Sequence, residues 1–375
     1  MTGVKIHIYT RLLILSLATI SVFASICSPT IIKAAGGFEV RGSFAAEHRT
    51  EKITLEYQFV VVVDECMWRI RVDPIGQTLS NSAVSYYEDA YDGHYVYSFR
   101  KFVTGPTPST NNSSEAVVDV GQIPSESSIY APPLWLAFCS GCYFASGHTN
   151  EMELLFTSGS ADPRLENRTG RISGEFDSKP PRLPLKITFF DDGFVRHRDK
   201  IGQTHATRRR VPFDNGFAAQ TFYARNFTNV AGFSIPMEFG LEWFLPAAEA
   251  QSSNDVISLG VWSGKVDSCR PIADQSQNDF PPKTDGGAFT EDRRFLRAEK
   301  FAKRIYYTNT NSGAWIPMNS ATLSGMNEIA KENAGVKPKG NAARMILVTI
   351  FVLPVLLILG SRMIAKWLKG KKTNM

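Results

Sequence analysis

Hydrophobic and polar positions alternate with period two along much of this chain. In TLEYQFVVVV, Leu55, Tyr57, Phe59, Val61 and Val63 fall on one face, with Thr54, Glu56 and Gln58 opposite. MWRIRVD sets Trp68, Ile70 and Val72 against Met67, Arg69, Arg71 and Asp73. PMEFGLEWFL sets Met237, Phe239, Leu241, Trp243 and Leu245 against Glu238, Gly240, Glu242 and Phe244. Successive strand side chains point to opposite sides, so each segment predicts a strand with one face in a core and the other in water.

Turn chemistry links such strands. Asp92-Gly93 and Asp192-Gly193 each lie between aromatic-rich runs, and Asp-Gly suits the left-handed backbone of a tight hairpin. Polar loops rich in Gly or Pro fall at 105–114, 177–184 and 275–287. The middle loop is the expected seam between two β-rich halves of one module, 36–178 and 179–325. The expected fold class is mainly β: antiparallel curved sheet, as a half-barrel or a sandwich, plus one C-terminal transmembrane helix. Helical patterning is scarce until NEIAKENAGVKPKGN, which predicts a short helix running into a stalk over 326–343.

The two ends of the chain break the alternation. From Met345 to Leu359 no residue is charged, and only Thr349 and Pro354 interrupt the apolar run. Extended through Ile364 it reaches roughly 20 residues, enough to cross a hydrocarbon core about 30 Å thick. Pro354 is tolerated in a membrane span, and Arg362 can snorkel to the headgroups. Lys366, Trp367, Lys369, Lys371 and Lys372 follow as a cytoplasmic flank. The expectation is a transmembrane helix over 344–365 and a basic tail over 366–375. At the other end, Lys5 and Arg11 precede an apolar stretch from Leu12 to Val22, with small-residue cleavage sites at Val22-Phe23-Ala24 and, less well formed, Ile32-Lys33-Ala34. This reads as a signal peptide within 1–35. Both ends put positive charge in the cytoplasm, so the middle is expected outside it, on a single-pass protein of the plasma (inner) membrane.

Charge changes the picture once. Lys5, Arg11 and Lys33 near the start, and Arg344, Arg362, Lys366, Lys369, Lys371 and Lys372 near the end, stand among no acidic residues. Subtracting these nine from the net charge of +5 leaves the module at −4. The basic balance belongs to the ends and argues against nucleic-acid binding.

The strand, Asp-Gly turn and YVYSF (95–99), with the later FTNVAGFSIPMEFGLEWF (227–244), resemble periplasmic lipoprotein carriers of the Lol type and their sorting-protein relatives. The resemblance implies an antiparallel half-barrel over an apolar cavity that takes acyl chains. It implies lipid or lipoprotein as a partner, and it transfers no site residue. A carrier is shorter and unanchored, so a tethered chain of this length would not ferry cargo.

Candidate chemistry is sparse. Cys139 and Cys142, in FCSGCYF, have the spacing of a redox pair or half a zinc site. No Trp stands directly before the first cysteine, and the surroundings read as strand and loop. The other readings are a Cys139–Cys142 disulfide or two packed thiols. Cys66 and Cys269 stand alone, and with Cys27 retained after cleavage at Ala24 the five cysteines leave at least one unpaired. In RHRDKIGQTHATRRR, Arg196, Arg198, Arg208, Arg209 and Arg210 form the one basic concentration of the module, able to grip phosphate, lipid headgroups or an anionic polysaccharide, or simply to solvate a loop. His197 and His205 lie in the same run and fit no zinc-protease motif. There is no Gly-x-Ser-x-Gly elbow and no phosphate loop, and Asp191-Asp192 read as turn residues. The sequons at Asn111, Asn112, Asn167 and Asn226 are of the number that chance supplies. The expectation is a non-enzymatic β-module, without cofactor or metal, binding or presenting an apolar or envelope-derived ligand. The alternatives are a thiol- or metal-dependent envelope enzyme built on Cys139 and Cys142, and a surface protein whose C-terminal tail is removed.

Overall fold

The computed structural model describes residues 31–43, 52–64, 66–76, 83–103, 113–124, 130–149, 151–153, 169–179, 181–198, 204–272, 280–284, 287–295, 304–309 and 315–335. The described residues fall into two compact units, the first within 1–294 and 306–315 and the second within 295–305 and 316–375.

The first unit is built on strands. In chain order they are β1 (Ile31–Ser43), β2 (Lys52–Asp64), β3 (Met67–Ile75), β4 (Ala83–Tyr91), β5 (Tyr95–Val103) and β6 (Ser114–Val120). Two short helices follow, α1 (Ala131–Phe138) and α2 (Gly141–Ala145). Then come β7 (Glu151–Glu153), β8 (Thr169–Phe176), β9 (Pro184–Phe190), β10 (Phe194–Arg198), β11 (Thr204–Arg208), β12 (Ala218–Val230), β13 (Phe233–Pro246), β14 (Val256–Ile272), β15 (Ala288–Asp292) and β16 (Ile305–Asn309). Fourteen of them make one sheet in the order β16-β15-β6-β5-β4-β3-β2-β1-β14-β13-β12-β9-β8-β7, while β10 and β11 form a separate two-stranded ribbon. From β6 across to β7 every pairing is antiparallel, and β15 lies parallel to β6. The sheet is curved and open. The layer on its inner face is α1 with α2, not a second sheet.

The alternation in the sequence maps onto this sheet. Tyr57, Phe59 and Val61 on β2, Trp68, Ile70 and Val72 on β3, and Phe239 and Leu241 on β13 are all buried on the inner face. On β13 the pattern ends at a bulge between Trp243 and Phe244, beyond which Leu245 is exposed. A bulge inserts one unpaired residue and re-aims the side chains after it. Asp92-Gly93 does make a hairpin: Tyr91 pairs with Val96, and the Asp92 carboxylate accepts the His94 and Tyr95 amide N–H groups at 2.8 Å each.

Four expectations need correction. Asp192-Gly193 joins no hairpin, because β9 pairs with β8 and β12 while β10 pairs only with β11. The loop at 177–184 is not a seam, since it connects the adjacent strands β8 and β9 inside one sheet. The module begins before residue 36: β1 starts at Ile31, and Ile31, Ile32 and Ala34 are buried between β2 and β14. The segment around Cys139 is helical, because a run buried on all sides needs no alternation to fill its place. Residues 1–30, the span expected at 344–365 and the tail at 366–375 lie outside the described residues. Among the described residues no helix is long and apolar enough to cross a membrane.

In the second unit, α3 (Ala321–Gly335) follows Ser320, whose Oγ accepts the Leu323 N–H at 3.1 Å as an N-terminal cap. The helix predicted from NEIAKENAG is therefore present, and it runs through 335 into the range expected as stalk.

β1 and β14 run close at Gly36, beside a second bulge. A Cβ there would lie 2.1 Å from the Lys265 carbonyl oxygen, a backbone atom that cannot rotate away. Gly36→Ala is expected to lower stability by at least about 2 kcal/mol, read as a shift of the urea midpoint at unchanged slope.

Candidate functional site

The inner face of the sheet and the helix that fills it form the candidate site. APPLWLAF becomes a helix because Pro132 and Pro133 occupy its first turn, where a missing N–H costs nothing. Eight residues are too few to be stable alone in water, so α1 exists by packing. All eight are buried. The Phe138 ring meets Phe59 at 5.9 Å and Phe239 edge-on at 5.6 Å, while Trp135 packs edge-on to Tyr143 at 5.6 Å. Full burial of side chains such as Leu134, Leu136 and Phe138 contributes about 1.5–3 kcal/mol each.

A cavity of about 20 Å³ lies beside Phe138, lined by Ile32, Ala34, Val61, Val63, Phe233 and other apolar groups. That is room for about one water molecule, in a lining that is mostly apolar. The Trp135 indole N–H is buried without a hydrogen-bond partner, at a cost of about 1–3 kcal/mol. The interior thus holds an unused donor amid apolar surface.

Both ends of the helical segment are fastened. At the start, the Tyr57 hydroxyl donates to Tyr130 at 2.9 Å, and Tyr130 is also hydrogen-bonded with Tyr87. Burial, and then the neighbouring phenols, raise the Tyr87 and Tyr130 pKa values well above the ordinary phenol value. At the far end Cys142 is bonded to Cys66, in the turn between β2 and β3. The expected Cys139–Cys142 pair therefore does not form. Cys139 closes α1, its N–H bonded to the Trp135 carbonyl, and its side chain is buried in the core while Cys142 reaches the strand turn. Burial pushes the Cys139 thiol far up, and raises that of half-buried Cys269 to about 11.

The expected anion-binding arginines divide. Pairing of β10 with β11 puts Arg196, Arg198 and Arg208 at positions on one face with Phe194, and sets His197 directly opposite His205 on the other. Arg209 is committed: its Nε and Nη2 donate to Asp191 at 3.0 and 3.1 Å, clamping the ribbon to the sheet. Arg208 donates to the Asp214 carbonyl and to Asn215, and Arg210 is exposed. Asp191 and Asp192 act in the turn, each accepting the N–H two residues on.

The outer face carries a second hollow of about 440 Å³ with Glu56, Glu238, Arg225 and Lys265 around Gly37. Phe38, Tyr57, Phe239 and Tyr223 also line it, and Tyr223 is covered by Gly240 on the sheet and by the Arg225 guanidinium 4.7 Å from its ring centre. Glu39 is held by Arg41 through two bonds of 2.7 Å. Among the described residues no group of three or more His, Cys, Asp or Glu stands together as metal ligands.

Pattern reading missed α1 and the Cys66–Cys142 bond. The signal for the helix was there: two prolines opening an uninterrupted apolar run. Nothing in the spacing could have found a bond across 76 residues.

No protein-family model matches the chain, and no curated protein matches it in sequence. Among solved structures it is similar to a LolA superfamily protein from Nitrosomonas europaea, at 10% identity and a TM-score of 0.28, over 67% of this chain and 90% of that one. The likeness agrees with the resemblance read from the sequence. At that score it carries no argument of its own.

Two measurements check the site. With a disulfide reagent at pH 8, native protein should leave Cys139 unlabelled and label Cys269 slowly, since a thiol with a pKa near 11 is ionised to only about one part in a thousand; both should react on unfolding, with Cys66 and Cys142 protected until reduction. Tyr87, Tyr97, Tyr130 and Tyr307 all have raised pKa values in the folded state, with burial the largest cause. Their contribution is full below the unfolded phenol value of about 10 and is lost as pH rises beyond it. Stability to urea should therefore change little on their account between pH 7 and 9 and fall steeply above 10.

Proposed function

We propose that this chain is an exported, membrane-held, non-enzymatic module that takes an apolar chain, of the acyl type, between its curved sheet and α1. The observation that carries the reading is a wholly apolar helix of eight buried residues lying on the inner face of an open sheet. An occupant that replaces α1 has to cover the same surface. At about 0.8 kcal/mol per buried methylene, a chain of a dozen or so carbons offers what several large side chains of the helix supply. The unpartnered Trp135 N–H would suit an ester or acid carbonyl at its head. The cavity beside Phe138 is far too small for such a chain, so α1 would have to swing. Its hinge is the end tethered through Cys142, and its latch is Tyr130.

The apolar ends of the sequence support export and a single membrane span, with the module outside the cytoplasm. Removal of the C-terminal tail would instead release it. The thiol-enzyme alternative draws no support from Cys139 and Cys142, the one buried and held neutral, the other bonded to Cys66.

Photolabelling the full chain with a diazirine palmitate tests the reading. Adducts are expected on peptides carrying Phe59, Phe222 and Trp262, all on the inner face. Tyr130→Phe, which removes the latch at about 1 kcal/mol, should increase them several-fold. Adducts confined to other peptides, or unchanged labelling in Tyr130→Phe, would reject it.

A further inference from the structure

The ribbon of β10 and β11 leaves the sheet where β9 ends and β12 begins, since Phe190 pairs with Ala218. The β13–β14 hairpin turns at the same end of the sheet: Gln220, near the start of β12, pairs with Trp243, and the hairpin closes just beyond at Pro246 and Val256. Large apolar side chains are exposed on both projections. They are Phe194 (39%), Val195 (42%) and Val211 (80%) on and after the ribbon, and the cross-strand neighbours Leu245 (39%) and Ile257 (55%) on the hairpin. Scattered exposed apolar residues need no explanation, but several at one end of a sheet, on two separate projections, do.

Charge on the ribbon selects the partner. The module is acidic as a whole, yet the ribbon and its exit carry Arg196, Arg198, Arg208 and Arg210. Arg209 is spent on Asp191, and Arg208 is held by Asp214 and Asn215, which fixes the ribbon's base. Gly193 and Gly216, both with positive φ, hold that base tight, for a Cβ at either would lie within 2.3 Å of a backbone oxygen. The base of the projection is thus fixed on the sheet.

We infer that this end of the sheet is a docking face for an anionic lipid bilayer, with the arginines at the headgroups and Val211, Phe194, Leu245 and Ile257 entering the interface. A polyanion in solution would satisfy the arginines and leave the apolar side chains in water. A neutral apolar partner would leave the exposed Arg210 unmatched. A negatively charged bilayer surface meets both demands, and each basic residue near it strengthens attachment about fivefold. This contact is separate from any C-terminal span and does not depend on what the inner face binds.

The test places an environment-sensitive fluorophore on Val211→Cys, or on Ile257→Cys, in a full chain carrying Cys269→Ser. The labelled chain is reconstituted in vesicles of phosphatidylcholine alone or with a third of phosphatidylglycerol. Both probes should shift to the blue and brighten on the anionic vesicles only. The shift should reverse in 1 M salt, where the screening length falls to about 3 Å. Arg210→Glu, at an exposed site, should reduce it at least fivefold, and Arg208→Glu is the second variant. Water-like emission on both vesicles would overturn the proposal. So would an equal shift with soluble polygalacturonate, which would assign the ribbon to polysaccharide, or a shift at 211 without one at 257.

Discussion

An open sheet with one apolar face must cover that face, and in this molecule the covering element is a helix of eight residues. The sheet cannot hide its inner side by closing on itself, because β16 and β7 stand at opposite edges. Tyr57, Phe59, Trp68, Phe222, Phe239 and Trp262 would otherwise face water. Tyr130, the disulfide and the packing of Phe138 all serve to keep α1 on that face. The same requirement explains why the unmet donor at Trp135 is tolerated. The loss at Trp135 is small beside the apolar surface that its ring and neighbours remove from water.

Chain path makes the sheet one body. β1 lies between β2 and β14, so a strand near the start of the chain pairs along its length with one more than two hundred residues later. The meander β1 to β6 and the meander β12 to β14 become a single surface through that pairing. Gly36 allows it, since any side chain there would strike the β14 backbone. What looks from composition like two halves is one core.

Polar groups are sorted by the sheet's two sides. Outside, acids and bases alternate across neighbouring strands, as with Arg225, Glu238 and Lys265 on β12, β13 and β14. Such exposed rows contribute little energy each, but they keep a broad face soluble. Inside, some polar side chains bond each other, as with Ser98, which donates to Asp89 at 2.5 Å. The ribbon is the exception to this order. It is basic where the module is acidic, and apolar side chains stand exposed on it.

The residue pattern by itself determined which strands exist and which of their faces is buried. Period two is a local property, and Tyr57, Phe59, Trp68, Ile70, Phe239 and Leu241 carry it without help from distant chain. It also determined the first hairpin, because Asp92 bonds its own turn, and the helix after Ser320, whose cap and residues are contiguous. Tertiary structure alone decided the rest. APPLWLAFCSGCYF has no periodicity, since a segment apolar on every side records only that it is buried and not in what shape. Asp192-Gly193 has hairpin chemistry yet ends a strand, because β9 found its partners in β8 and β12. Cys142 bonds Cys66 and not its near neighbour, because α1 and α2 carry it to the β2–β3 turn while Cys139 enters the core. Partners far apart in the chain leave no mark on local sequence; only the packed sheet brings them together.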